Sequence, residues 1–400
     1  MNWKLNLAVL WFGNFLVMAG MTMITPFLPL YVQELGVTDT HQVAMWSSFI
    51  FAGSFVSSFF FQPLWGKLAD KHGRKVMLIR SSLGMTIVIS LMGLATHPWQ
   101  LFALRLLNGT VAGFNPAAIA LVSATTPKER MGFAMGILQS GFVAGTILGP
   151  LFGGLLEVWI GFRYIFFLTG GLLFAAMLLT AAVVKESFDV QAARKQPNMS
   201  ILENFRLLSS VPQLKALFTV TILLQFAMLS PQSLLPLFVQ RLIGPGEYVA
   251  FFAGLVGSVT GISNLIASPI LGRISDQHGA QKVLMFCLLG AGLVFIPHAF
   301  VTSVWQLLLC RFFLGMCIGG LLPSVNSLIR RYTPDGMESR SFSMNSSALA
   351  LGNMLGPILG GALSGPLGIR GIFIMTGSLM LLNMLWVRRT LVGRPDNAEA

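Results

Sequence analysis

Gly66-Lys67-Leu68-Ala69-Asp70-Lys71-His72-Gly73-Arg74-Lys75 returns 206 residues later as Gly272-Arg273-Ile274-Ser275-Asp276-Gln277-His278-Gly279-Ala280-Gln281. The repeat is not local. Leu28-Pro29-Leu30-Tyr31-Val32 pairs with Leu235-Pro236-Leu237-Phe238-Val239, and Trp99-Gln100-Leu101, Arg105 and Gly109 pair with Trp305-Gln306-Leu307, Arg311 and Gly315. Gly149-Pro150, Gly153-Gly154 and Gly161-Phe162-Arg163 pair with Gly356-Pro357, Gly360-Gly361 and Gly368-Ile369-Arg370. Agreement at an offset of 206 to 207 residues along the whole chain means that a single unit was duplicated. Both copies keep the same orientation, which predicts a central site between two parallel halves, opened alternately by rocking one against the other.

The chain around these repeats is built for lipid. Of 400 residues, 54% are hydrophobic and only 10% charged, and the mean hydropathy of +0.75 excludes a soluble globular protein. At about 20 apolar residues per crossing, twelve helices take up about 240 residues and leave no room for a folded domain outside the membrane. Apolar runs predict spans at Leu7–Val32, Val43–Leu64, Val76–Ala95, Trp99–Ser123, Met131–Leu156 and Tyr164–Val184, then at Leu214–Val239, Tyr248–Leu271, Val283–Phe300, Val304–Ile329, Ser341–Leu363 and Ile372–Val387. The expected fold is therefore all-α and integral to the membrane, with a six-helix bundle over residues 1–184, a polar basic linker over 185–213 and a second six-helix bundle over 214–400.

Charge gives the orientation. Of 26 Lys and Arg, 21 fall on the side of the N-terminus, three (Arg163, Arg241 and Arg370) on the other, and Arg105 and Arg311 lie within spans. Basic loops resist translocation, so both termini are expected in the cytoplasm. The formal charge of +12 is thus topological and does not point to nucleic acid. Cys287, Cys310 and Cys317 sit in apolar runs, and neither a disulfide framework, a metal site nor a cofactor is expected.

On these motifs the chain resembles the major facilitator superfamily over nearly its whole length. The stretch Gly66–Lys75 is similar to the superfamily's cytoplasmic signature, in which glycines permit a tight turn and the aspartate accepts hydrogen bonds from basic side chains and a helix N-terminus. The resemblance implies a latch made by Gly66, Asp70, Gly73, Arg74 and Lys75; the second copy, with Ala280 and Gln281 in place of the basic pair, implies a weaker one. Gly141, Gly145, Gly149, Pro150, Gly153 and Gly154 resemble the glycine-proline motif that marks the superfamily's proton-driven exporters. Glycines four apart make a groove for a neighbouring helix, and the proline removes one backbone hydrogen bond. Arg105 stands where the superfamily carries an arginine implicated in proton transfer. With Asn2-Trp3-Lys4 and Trp11-Phe12-Gly13-Asn14-Phe15, the chain looks most like bacterial twelve-span multidrug/proton antiporters of the quinolone and dye exporting kind. That implies a monomeric secondary transporter, not an enzyme, exporting small amphiphilic molecules in exchange for protons from within the lipid bilayer. Export of an endogenous sugar, peptide precursor or lipid head group stays open as the alternative.

A mildly polar stripe recurs in both halves: Asn14, Met18, Thr22 and Thr25 in the first span, Gln225, Met228 and Gln232 in the seventh. With Phe51, Asn108, Asn115 and Phe142 these residues are the candidates to line a substrate cavity, where methionine adapts to different shapes. All fourteen acids lie near predicted helix ends or in loops, so no carboxylate is buried mid-span for a cation to displace. Proton coupling is then expected from Asp70, Glu129 or Glu34 with Arg105, and neutral, zwitterionic or anionic substrates fit better than cations. The histidines, His298 among them, are read as helix-end residues. No metalloprotease, phosphate-loop or nucleophile-elbow motif is present.

Overall fold

A computed structural model describes residues 3–127, 130–186, 211–246, 248–333 and 338–392. Among these residues the chain is helical, with no strand, and ten helices are long and apolar enough to cross a membrane. Large side chains such as Ile87, Phe286 and Trp305 stand exposed on helix faces that lipid would solvate.

Among the described residues fourteen α-helices follow in order: α1 Trp3–Met23, α2 Leu28–Glu34, α3 Thr40–His72, α4 Arg74–Met92, α5 Pro98–Val111, α6 Phe114–Thr125, α7 Met131–Val183, α8 Pro212–Leu229, α9 Leu235–Ile243, α10 Val249–His278, α11 Ala280–His298, α12 Val304–Ile318, α13 Leu321–Tyr332 and α14 Glu338–Val387. Two compact units result, Met1–Pro197 with Val239–Ser258, and Asn198–Phe238 with Val259–Ala400.

Four predicted spans are broken where an unbroken helix was expected. The first is interrupted between α1 and α2 by a 3-10 turn at Thr25–Phe27, where Pro26 and then Pro29 supply no N–H. The fourth breaks at Ala112–Gly113, Gly113 taking φ 143°. The seventh passes from α8 to α9 through residues 230–234 around Pro231, and the tenth parts at Gly319–Gly320 between α12 and α13. The second span differs the other way. α3 runs on to His72, so Gly66 lies inside the helix and Gly73 alone, at φ 91°, makes the turn. Asp39 starts that helix by accepting from the Gln42 amide at 2.8 Å.

α7 and α14, of 53 and 50 residues, each contain one non-helical residue, Gly161 (φ 76°, ψ 165°) and Gly368 (φ 68°, ψ 168°). Only glycine adopts such angles without strain. Before Gly161, α7 runs parallel to α1, with Gly141 beside Trp11 and Gly153 beside Met23; after it, Arg163 meets Gly93 and Lys75 reaches Ala181, antiparallel to α4. Each long helix is therefore a hairpin hinged on a single glycine. α14 repeats the arrangement in the second unit: Gly356 and Gly360 track Phe226 and Ser230, and past the hinge Gly377 faces Gly292.

Candidate functional site

The glycine motif is a contact surface with two faces. A Cβ added at Gly141 or Gly145 would come within 2.6 Å of the carbonyl oxygens of Trp11 and Phe15, while one at Gly149 or Gly153 would strike Thr22, Ala19 and Met23. Steps of four on α7 thus match steps of four on α1, and the missing side chains let two backbones touch. The other face belongs to Pro150 and Gly154. Within the first unit these meet residues 249–258: a Cβ on Gly154 would strike Ala250, one on Gly254 would strike Pro150, and the Ser258 hydroxyl donates to the Ile147 carbonyl at 2.8 Å.

Along the first face lie the polar candidates of α1. Asn14 is fully buried and its amide donates to Asn115 Oδ1 at 3.3 Å and the Leu138 carbonyl at 3.5 Å. Thr22 donates to the carbonyls of Met18, at 2.7 Å, and Gly145, at 3.1 Å. Met18, Thr25, Phe142 and Asn115 are half-buried, and the structure brings Asn14, Met18, Thr22 and Asn115 together around the glycine groove. Gln33 and Gln240, repeat mates in this unit, exchange amide hydrogen bonds of 3.1 and 3.2 Å.

A second arrangement joins α3 to α5. Arg105 is 5% exposed and packs against Gly53, where an added Cβ would stand 3.4 Å from the Arg105 Cβ, and its Nε has no partner. Among the described residues no carboxylate pairs with it. Ser54 donates to the Arg105 carbonyl at 3.0 Å and Asn108 to the Ser54 hydroxyl at 3.4 Å. Ser58 donates to the Gly109 carbonyl at 3.1 Å and the Trp65 indole to that of Thr110 at 2.5 Å. The Gly109 and Thr110 carbonyls freed by the break at Gly113 are thus taken up by side chains of α3. Arg80 lies 3.5 Å over the Trp65 ring, with Nε and Nη1 buried and unpartnered. Phe51 is half-buried and meets Phe55 edge-on at 5.6 Å.

At the loop motif, Gly73 opens α4 and the carboxylate of Glu186 covers its N-terminus. Its two oxygens accept from the Arg74 and Lys75 amides at 3.0 and 2.8 Å. An anion there meets unpaired N–H groups and the positive end of the helix dipole. Lys75 Nζ donates to the Ala181 carbonyl at 2.9 Å, and Asn6 and Lys185 exchange hydrogen bonds of 2.8 and 3.1 Å. Asp70 is in α3, with its side chain outside the described residues, as is Glu129 altogether; Glu34 ends α2 and is exposed.

The second unit repeats these themes with other residues. Gln225 donates to Asn353 at 2.9 Å; Thr221, the repeat mate of Asn14, donates to Asn345 at 2.8 Å, and Asn345 in turn to Asn326 at 3.2 Å. Met228 and Gln232 are half-buried. Arg311 is buried with Nε and Nη2 unpartnered, 6.0 Å from the Phe373 ring. His298 ends α11. It is fully buried between Phe295 and Phe373, both 5.4 Å away, its Nδ1 2.8 Å from the Val294 carbonyl and its Nε2 without a partner. Sequence reasoning missed Glu186, the Trp65–Arg80 pair, Asn353 and the burial of His298. Only Glu186 left a signal, an acid directly after the sixth predicted span.

The Major Facilitator Superfamily profile matches residues 10–262 and 247–400. Multidrug resistance protein MdtG of Salmonella arizonae is 40% identical over 393 residues, 98% of this chain and 97% of that protein. The protein of the same name from Serratia proteamaculans is 41% identical over 394 residues, 98% and 95% of the two chains. A bacterial homologue of the human lysosomal transporter Spinster superposes with a TM-score of 0.80 at 16% identity, covering 99% of each chain. The nucleoside transporter NupG does so with a TM-score of 0.80 at 16% identity, over 98% of this chain and 99% of its own. Those structural likenesses speak to the fold alone. With the profile covering the chain from residue 10 to its end and relatives near 40% identity, the chain belongs to the major facilitator superfamily.

Proposed function

We propose that this chain is a secondary active transporter that exports amphiphilic small molecules across the bacterial inner membrane in exchange for protons, by alternating access. The observation that carries the reading is 40–41% identity over nearly the full length of two multidrug resistance proteins. The ladder from Gly141 to Gly153 against the first span, a motif of proton-driven exporters, supports the direction of transport. Counting each glycine-hinged helix as two crossings gives twelve spans, in six-helix halves over 1–184 and 214–400 joined by 185–213, with both termini cytoplasmic and the monomer as the working unit. Asp70 acts in the latch with Gly66, Gly73, Arg74 and Lys75, and protons pass through Asp70, Glu129 or Glu34 together with Arg105. Without a mid-span carboxylate, the substrates are neutral, zwitterionic or anionic amphiphiles.

The test is accumulation of a quinolone and dye panel in a drug-sensitive bacterial host with and without the chain, repeated with a protonophore. Lower accumulation that the protonophore restores is expected. Accumulation unchanged across the panel overturns the efflux reading, and efflux indifferent to the protonophore overturns proton coupling. Flux equal to wild type in both Asp70→Asn and Arg105→Ala would sink the residue assignment.

A further inference from the structure

Two grooves on the surface are copies of each other. One, of about 370 Å³, lies between the end of α4 and the start of α5; the other, of about 470 Å³, lies between the end of α11 and the start of α12. Six of the seven residues lining the first, Leu91, Leu94, Ala95, Gln100, Ala103 and Leu104, are repeat mates, at an offset of 206, of residues lining the second. Both walls are apolar. Trp99, in the first groove, and Trp305, at the matching position beside the second, stand exposed at the start of their helices, as tryptophans do at the membrane–water boundary.

Each groove also has a polar mouth. Gln100 Oε1 accepts from the Thr96 amide at 2.8 Å and Gln306 Oε1 from the Thr302 amide at 2.9 Å, so what remains of each amide is its NH2 donor. An exposed arginine stands at each rim. Arg370 donates from Nη2 to the carbonyl of Val301, a lining residue, at 3.4 Å. Its repeat mate Arg163 lies beside the Tyr31 hydroxyl, as does Glu34, and that hydroxyl donates to the carbonyl of Ala95, a lining residue of the other groove, at 3.3 Å. These are two of the three basic residues that the charge distribution places on that side of the membrane.

We propose that each groove seats one anionic phospholipid, an acyl chain lying along the apolar walls and the phosphate held by Arg163 or Arg370. An apolar channel alone fits any lipid; the guanidinium at each rim, a planar donor pair suited to phosphate, selects the anionic head group. The duplication argues that the two mouths are one design used twice. The seat is independent of what the chain carries.

Trp99 and Trp305 are built-in reporters. The full-length chain is reconstituted into phosphatidylcholine vesicles containing either phosphatidylglycerol or phosphatidylcholine brominated on its acyl chains. The fluorescence of these two tryptophans is the difference between wild type and a Trp99→Phe/Trp305→Phe variant. Brominated phosphatidylglycerol is expected to half-quench that component at about fivefold lower mole fraction than brominated phosphatidylcholine, since one arginine near an anionic lipid surface is worth about 1 kcal/mol. The Arg163→Gln/Arg370→Gln variant, altered only at exposed side chains, is expected to lose the preference while keeping the quenching by phosphatidylcholine. Equal quenching by the two lipids in wild type, or a preference that survives the double arginine substitution, overturns the proposal.

Discussion

Gly145→Ala measures how closely the first span lies on the glycine motif. The added Cβ would stand 2.6 Å from the Phe15 carbonyl oxygen and 2.8 Å from both the Ala19 nitrogen and Met18 Cβ. Ordinary contact begins at 3.4 Å, so the helices must part by about 0.8 Å, and two of the three obstacles are backbone that cannot rotate aside. Overpacking of this kind costs about 1–3 kcal/mol. The separation also stretches the hydrogen bond from Thr22 to the Gly145 carbonyl, 3.1 Å long, at about a further 1 kcal/mol. Better helix propensity returns about 1 kcal/mol, leaving a net loss of about 1–3 kcal/mol. Gly171, also in α7, has nothing within 4 Å of its Cβ position, so Gly171→Ala feels only the propensity gain. Unfolding of the purified chain in mixed micelles with rising SDS is expected to place Gly145→Ala below wild type and Gly171→Ala at or slightly above it. If Gly145→Ala is as stable as wild type, the close approach of the two backbones is wrong.

The second unit makes the same experiment available at Gly352, whose Cβ would come within 2.7 Å of Gln225 Cβ and the Ile222 carbonyl; Gly352→Ala is expected to lose a similar 1–3 kcal/mol in the same assay. Glu186→Ala uncovers the N-terminus of α4 at a cost of about 1 kcal/mol, and amide hydrogen exchange of residues 74–78 is expected to quicken about fivefold; unchanged exchange would remove the cap from the account. Trp65→Phe keeps a ring beneath Arg80 but leaves the Thr110 carbonyl without its donor, so the SDS midpoint should fall by the equivalent of about 1 kcal/mol; an unmoved midpoint would show that another donor replaces the indole. His298→Phe preserves the stack between Phe295 and Phe373 and removes both the unpartnered Nε2 and the Nδ1 contact with the Val294 carbonyl, two opposing effects, so stability should change by less than about 1 kcal/mol; a larger drop would mean that the imidazole is held by more than that one contact.

What the sequence made legible follows from which signals are local. The steps of four from Gly141 to Gly153 announced a helix groove before any partner was known, because the spacing of α1 must match it turn for turn. Pro26, Gly113 and Pro231 were in plain view, yet the apolar runs around them concealed the breaks: hydropathy averages over a window and is blind to one missing N–H or one positive φ. Partners distant in sequence were hidden altogether. Glu186 reaches the Arg74 and Lys75 amides from more than a hundred residues away, and nothing in the loop motif itself pointed to it. His298 sits at the end of its helix as expected, but Phe373, contributed by the far arm of α14, covers it. Asn14 and Asn115, cavity candidates by residue type and spacing, hydrogen-bond each other, which periodicity on a single helix cannot foretell.

The one-glycine hinges at Gly161 and Gly368 bear on how the protein is made. Two arms joined by a single non-helical residue have no loop that can wait at the membrane surface while the second arm is synthesised. Each pair should therefore enter the bilayer together, as one insertion event, and a residue that cannot take the glycine's backbone angles would strand the second arm before any tertiary contact forms. Damage at either hinge should surface during biogenesis, as chain that is translated and never integrated.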